Sequence, residues 1–176
     1  ITITGTQDVN LVAGSTTVSL TATGAASATV NVTVNDDDTQ EVLVSQSTVS
    51  VAEGGSTTVG VSLRYQPASG VTVALASDDG AVATVAPASG LAFTTANYGT
   101  PQDMTIVGVD DVDVVVSSTA IRATLTGALP GVVNVAVSDD DTLKFIINPA
   151  VINLNEYLDG TASVVLSNQP PGNVTG

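Results

Sequence analysis

The sequence predicts an all-β protein made of tandem seven-stranded, immunoglobulin-like β-sandwiches of about 103 residues each. The first reason is a repeat, because Asp36–Thr39 recurs 103 residues later as Asp139–Thr142. Residues 1–39 align without a gap on 104–142, and 20 of these positions are identical. The second reason is widespread apolar–polar alternation between short turn segments, which is typical of half-buried strands. A repeat of this length can bury its own core, so independent domains are favoured over a solenoid.

The offset divides the chain into three parts. Residues 1–39 are predicted to be the C-terminal part of one repeat, 40–142 a complete β-sandwich, and 143–176 the N-terminal part of the next. The partial repeats would expose sheet edges and apolar faces. We therefore expect either that the chain continues or that copies complement each other head to tail, and we favour continuation. No flexible linker separates the parts, which predicts a rod rather than loosely connected beads.

The first four predicted strands of the complete repeat are justified by alternation and by turn residues. The first spans about 41–51, is broken near Gln46, and ends at the Gly54-Gly55 turn. In the second, Val59 and Leu63 alternate with small polar residues. The ranges of these four predicted strands are 41–51, 56–65, 71–77, and 82–86 with 90–94.

The last three predicted strands follow the same pattern. Met104 and Ile106 alternate with Asp103 and Thr105 in the fifth strand. Threonine on the outer face fits a strand, because β-branched residues favour the pleated surface. The ranges are 103–109, 117–126 and 132–138. No segment has a helical pattern.

The composition excludes several classes of function. The chain has 17 acidic and 3 basic residues, a net charge of −14, and neither cysteine nor histidine. Nucleic acid is excluded as a partner because phosphate binding needs a basic surface. Without histidine or cysteine, Ser-His-Asp and Cys-His catalysis are impossible within this chain. We therefore predict that the protein is not an enzyme, and the lack of a long apolar run predicts no membrane insertion.

The acidic residues concentrate in turns that follow odd-numbered strands. In an antiparallel sandwich these turns meet at one end, and here that end faces the next repeat. Because so many carboxylates repel one another, we predict that they bind Ca²⁺, which takes 6–8 oxygen ligands. The other interpretation is that they are solubilising turn residues. The predicted metal ligands are Glu53, Asp78, Asp79, Asp110, Asp111, Asp113, Asp139, Asp140 and Asp141.

Three stretches together resemble the Calx-β module. They are Val49–Gly55, Asp110-Asp111 and Val137–Asp141. A run typical of bacterial members, Ser77–Gly80 followed by Val85–Thr94, adds to the resemblance. The resemblance implies an immunoglobulin-like sandwich that binds Ca²⁺ through a glutamate after the first strand and aspartates in later turns. It departs after Asp113, where many members continue with more acidic residues. The resemblance also implies a large secreted bacterial adhesin or surface fibre.

We therefore predict a structural or adhesive extracellular protein that forms a Ca²⁺-stiffened rod or filament on a bacterial surface. Its expected partners are neighbouring repeats or head-to-tail copies, with cell-surface glycans or proteins as further candidates. The alternative is a carbohydrate- or ligand-binding accessory module of a secreted multidomain protein. Many repeats in the parent protein would favour the rod, whereas one or two beside a catalytic domain would favour the accessory module.

Overall fold

A computed structural model describes residues 1–174, and the last two residues of the predicted part 143–176 lie outside it. The described residues form thirteen strands and no helix, which confirms the predicted all-β class. Consequently, no helix within residues 1–174 is long and apolar enough to span a membrane.

Nine of the strands form two sheets within residues 40–142. One sheet has the order β3-β5-β9-β7 and the other has the order β4-β11-β10-β6-β8. The strands are β3 (Val42–Val44), β4 (Thr48–Ala52), β5 (Ser56–Leu63), β6 (Val71–Ser77), β7 (Ala83–Ala86), β8 (Leu91–Phe93), β9 (Gln102–Gly108), β10 (Ser117–Thr124) and β11 (Gly131–Ser138).

Two of the seven predicted strands are each divided between the sheets. The first is interrupted at residues 45–47, so that β3 pairs antiparallel with β5 while β4 pairs parallel with β11. The predicted pair 82–86 and 90–94 forms β7, which pairs with β9, and β8, which pairs with β6. The break near Gln46 was predicted, and its consequence is that the first run contributes to both sheets.

The core lies between the two sheets and is filled by the apolar half of each alternating pattern. Val59, Val61 and Leu63 of β5 are at most 2% exposed, as are Val133 and Val135 of β11. Burying each side chain of this size stabilises the fold by about 1.5–3 kcal/mol. The core therefore fixes the strand ends from which the loops leave.

A two-stranded hairpin lies on each side of this sandwich. The first comprises β1 (Gly14–Leu20) and β2 (Ala28–Val34), and the second comprises β12 (Phe145–Asn148) and β13 (Ser163–Leu166). Their pairing repeats that of the sandwich, because Gly14 opposes Val34 as Ser117 opposes Val137. Likewise, Phe145 opposes Leu166 as Val42 opposes Leu63. The repeat in sequence is therefore also a repeat in strand register.

Candidate metal site at the end of the sandwich

Three loops meet at one end of the sandwich because the ends of β4, β9 and β11 are tied together. The N–H of Glu53 donates to Ser138 O at 3.1 Å, and the N–H of Gly54 donates to Gly108 O at 3.1 Å. Glu53 and Gly108 also form an isolated parallel bridge. These bonds bring Glu53 beside the loops that follow β9 and β11. We call this set the acidic pole: Glu53, Asp110, Asp111, Asp113, Asp139, Asp140 and Asp141.

The close approach of β4 and β9 depends on a glycine. A Cβ at position 108 would lie 2.6 Å from the carbonyl oxygen of Ala52 and 3.1 Å from a methyl group of Val137. Real Cβ atoms do not approach a backbone oxygen so closely, so the position requires glycine. Gly108 thereby sets the position of Glu53 relative to the loop that begins at Val109.

Carboxylates from all three loops converge at the acidic pole. Glu53, Asp110 and Asp140 each present an oxygen, and these atoms all lie within 4.8 Å of one another. Asp110 and Asp140 are exposed, whereas Glu53 is only 6% exposed. Both carboxylate oxygens of Glu53 and Oδ2 of Asp139 are buried and accept no hydrogen bond from residues 1–174. Buried polar atoms without a partner are rare and costly, so this arrangement makes the acidic pole a candidate metal site.

The environment of these groups opposes their ionisation. Burial raises the pKa of Glu53, and the charges of Asp111, Asp139 and Asp110 raise it further. The nearby backbone N–H of Asp111 has the opposite influence on this pKa but does not reach Glu53 in hydrogen-bond geometry. Burial also raises the pKa of Asp139, and Asp141, Asp113 and Asp111 add to this effect. The N–H of Asp141 donates to Asp139 Oδ1 at 3.0 Å, which favours the ionised form but does not offset burial.

Protein cations do not neutralise the acidic pole in the described structure. The chain contains only three basic side chains. Arg64 pairs with Glu41 at 2.8 Å and Arg122 pairs with Asp78 at 2.7 Å. Within residues 1–174, the side chain of Lys144 forms no ion pair with a carboxylate. The backbone N–H of Lys144 donates to Ser167 Oγ. A cation from solution is therefore the available source of positive charge.

Two of the predicted ligands lie apart from this group. The single Nε–H of Arg122 is shared between Asp78 Oδ1 at 2.7 Å and Oδ2 at 3.0 Å, and Nη2 donates to Oδ2 at 2.8 Å. These bonds lower the pKa of Asp78 below its ordinary value. Asp79 shapes its own turn, because its Oδ1 accepts a bond from the N–H of Ala81 at 2.9 Å. The other seven predicted ligands make up the acidic pole.

The acidic pole borders the segment that follows. The N–H of Gln169 donates to Val112 O at 2.7 Å, and Gln169 forms a parallel bridge with Asp113. The same contact occurs 103 residues earlier, where the N–H of Gln66 donates to Val9 O at 2.8 Å beside Asn10. The role of these glutamines was not predicted, although the recurrence of Gln66-Pro67 as Gln169-Pro170 was a usable signal.

The loops that carry the acids have the same local fold in both copies. The N–H of Asp113 donates to Asp111 Oδ1 at 2.8 Å, as the N–H of Asn10 donates to Asp8 Oδ1 at 3.0 Å. The N–H of Asp38 likewise donates to Asp36 Oδ1. Such bonds to a backbone two residues on are the ordinary turn chemistry of Asp and Asn. They turn the chain out of β geometry and aim neighbouring carboxylates in different directions.

Chemically, the acidic pole can bind a hard divalent cation. Carboxylate oxygens are the ligands that Ca²⁺ and Mg²⁺ prefer, and the larger Ca²⁺ tolerates irregular arrangements of them. Zinc sites generally use histidine or cysteine, and the sequence contains neither.

Comparison with known proteins shows that this chain is similar in structure to domains of a surface-layer protein. No family model matches the sequence, and no curated protein matches it. The structure of surface layer protein SbsC, domains 1–6, has 21% identity and a TM-score of 0.50, covering 89% of this chain and 25% of that one. The crystal structure of SbsC domains 4 and 5 has 29% identity and a TM-score of 0.43, covering 63% of this chain and 59% of that one.

A third structure, of SbsC domains 4–9, has 24% identity and a TM-score of 0.49, covering 79% of this chain and 20% of that one. The chain thus spans between 20% and 59% of these structures. The class that the fold and comparisons define is an all-β chain of sandwich-forming strands. The likeness to domains 1–6 of the surface-layer protein SbsC is one of fold.

Proposed function

We propose that the chain is a structural extracellular protein in which successive Calx-β-like sandwiches form a rod, and that Ca²⁺ bound at the acidic pole stiffens the joint between them. The proposed division is a partial sandwich at 1–39, a complete one at 40–142 and a further partial one at 143–176. The identical strand register of the hairpins and the sandwich supports this division.

The observation that carries the metal proposal is the buried carboxylate of Glu53. An ionised group removed from water needs a countercharge or hydrogen bonds, and neither of its oxygens has a partner among residues 1–174. Asp110 and Asp140 place further oxygens within 4.8 Å. These three residues would hold the ion directly. Asp111 and Asp139 add negative charge next to it, as their effect on the Glu53 pKa indicates.

The position of the acidic pole supports a role in stiffness. Asp110, Asp111 and Asp113 belong to the loop whose Val112 O accepts the hydrogen bond from Gln169. Without a cation, repulsion among the carboxylates favours displacement of this loop. A cation that fixes the loop also fixes the surface on which the following segment docks.

The proposed location is the bacterial cell surface. Calcium sites in extracellular modules commonly have dissociation constants of about 10⁻⁴–10⁻³ M, which suits the calcium concentration outside cells. The fold shared with SbsC, a surface-layer protein, is compatible with such a location. Self-association along the rod is the proposed mode of assembly.

A distance measurement across the joint tests this function. The chain has no cysteine, so spin labels can be attached only at introduced sites. We suggest Thr84→Cys on the sandwich and Val165→Cys on β13, since both positions are exposed. Ca²⁺ is expected to give a narrow distribution of label distances, and EGTA a broad one. Equal widths in the two conditions would overturn the stiffening role.

A matched pair of variants completes the experiment. Glu53→Gln in the labelled protein should remove the difference between Ca²⁺ and EGTA. Asp103→Asn should retain it, because Asp103 lies at the opposite end of β9, about 16 Å along the strand from Gly108.

A further inference from the structure

The chain contains a second group of acids that corresponds, 103 residues earlier, to the acidic pole. We call it the amino-terminal pole: Gln7, Asp8, Asn10, Asp36, Asp37 and Asp38. Its turns have the same hydrogen bonds and its loop docks on Gln66 in the same way. The two poles differ in composition, because Gln7 and Asn10 stand where the acidic pole has Asp110 and Asp113, and Glu53 has no counterpart among residues 1–39.

At the amino-terminal pole, protein donors reach the aspartates directly. Gln7 Nε2 lies 3.2 Å from Asp38 Oδ1 and 3.4 Å from Asp37 Oδ1. Asp38 also lies close enough to the phenol of Tyr65 to raise its pKa through a polar contact. Because Tyr65 belongs to the following sandwich, this contact crosses the joint.

The corresponding positions of the acidic pole lack this set of donors. Gln7 corresponds to Asp110, and Tyr65 corresponds to Asn168. The pair Glu41–Arg64, with its 2.8 Å ion pair, corresponds to Lys144 and Ser167. Where Gln7 donates to Asp37, its counterpart Asp110 presents a carboxylate oxygen within 4.8 Å of Asp140 and of the buried Glu53. The two poles thus share the hydrogen bonds of their loops and differ in whether this position carries an amide or a carboxylate.

We propose that the residue at this position determines whether a joint needs a cation. Gln7 supplies N–H donors to Asp37 and Asp38, so protein hydrogen bonds hold these aspartates at the amino-terminal joint. Asp110 supplies another carboxylate, so the second joint needs a bound divalent cation to neutralise its charges. This inference rests on the proposed calcium site. It adds that one chain combines a joint that is independent of Ca²⁺ with one that responds to it.

Two backbone amides report separately on the two joints. The Gln66 N–H is bonded to Val9 O across the first joint, and the Gln169 N–H is bonded to Val112 O across the second. Their hydrogen exchange can be followed by NMR in Ca²⁺ and in EGTA, because exchange reports local opening. We expect EGTA to accelerate exchange at Gln169 by about two- to tenfold, the range expected for one hydrogen bond. Exchange at Gln66 should be unchanged.

Exchanging the two residues provides the decisive controls. Asp110→Gln should leave exchange at Gln169 insensitive to EGTA while its protection is retained. Gln7→Glu, which replaces the donor with a charge of nearly the same shape, should accelerate exchange at Gln66 in EGTA. In both variants the other joint serves as an internal reference for folding.

The possible results separate this inference from the proposed function. Acceleration by EGTA at both amides of the wild-type chain would overturn the role of Gln7 and leave the calcium site standing. No acceleration at either amide would overturn the calcium site itself. Acceleration at Gln169 in Asp110→Gln to the same extent as in the wild type would show that this position does not decide the requirement.

Discussion

Glu53 and Asp110 approach each other at the end of the sandwich, where an oxygen of each carboxylate lies within 4.8 Å of the other and of Asp140. Glu53 is buried and Asp110 is exposed, so the pair joins the interior of the domain to its surface. An ion bound between them would connect the buried Glu53 to the loop of Asp110, on which the next segment docks.

Removing the charge of Glu53 should stabilise the protein when no metal is present. We expect Glu53→Gln to raise the melting temperature in EGTA by a few degrees at neutral pH, because the amide keeps the shape and ends the repulsion. The same variant should lose the further increase on adding Ca²⁺. Asp103→Asn, measured by the same calorimetry, should behave like the wild type, and an E53Q midpoint below that of wild type in EGTA would contradict the argument.

The metal-free protein should become more stable on mild acidification. The pKa values of Glu53 and Asp139 are raised above their ordinary values of 4.5 and 3.8 in the folded state. A group with a raised pKa contributes stability that is complete below its unfolded pKa and lost as the pH rises through its folded pKa. In EGTA the melting temperature should therefore rise as the pH falls from 7 towards about 5.

In Ca²⁺ the same acidification should have the opposite effect, because protons compete with the metal for these carboxylates. Circular dichroism melts over this pH range in both conditions measure the two trends. Parallel pH profiles with and without Ca²⁺ would show that Glu53 and Asp139 are not involved in binding.

The ion pair of Asp78 with Arg122 should be independent of the metal. Both side chains are nearly half exposed, at 44% and 48%, so solvent screening leaves the pair little effect on stability. Arg122→Ala should therefore change the melting temperature only slightly and leave the Ca²⁺-induced increase intact. A large loss of that increase would place Asp78 among the metal ligands, as the sequence had suggested.

Gly108 offers a test of how the backbone positions the acidic pole. Gly108→Ala forces a Cβ to within 2.6 Å of Ala52 O, which should cost about 1–3 kcal/mol and displace Glu53 from Asp110. Ca²⁺ affinity measured by calorimetry should fall in parallel. Gly80→Ala is the matched control, because nothing lies within 4 Å of the added methyl group. It should be neutral or stabilising by up to about 1 kcal/mol.

The strand pattern and the general location of the acids could be predicted from sequence. The seven predicted strands overlap all nine strands of the sandwich, but β3 with β4 and β7 with β8 were each predicted as one strand. The rule that turns after odd-numbered strands meet at one end placed Glu53, Asp110 and Asp139 together. It also placed Asp78 there, and the structure instead pairs Asp78 with Arg122.

That pairing could not be predicted because it depends on the register of β6 against β10, in which Ser77 opposes Ile121 and Ala76 opposes Arg122. Alternation shows which face of each strand is buried, but it does not show that β10 is the neighbour of β6. For the same reason, the burial of Glu53 and the amide contacts of Gln7 needed the structure. The sequence could show that Gln7 replaces Asp110, but not that its Nε2 reaches Asp37 and Asp38.

The most direct test of the central claim is the melting temperature of the wild-type chain in Ca²⁺ and in EGTA, compared with Mg²⁺ as a second cation. A cation that binds only the folded state raises the midpoint by mass action. The account predicts a higher midpoint in Ca²⁺ than in EGTA, with a smaller effect of Mg²⁺ because it requires stricter octahedral geometry. Identical midpoints in Ca²⁺ and EGTA would contradict it.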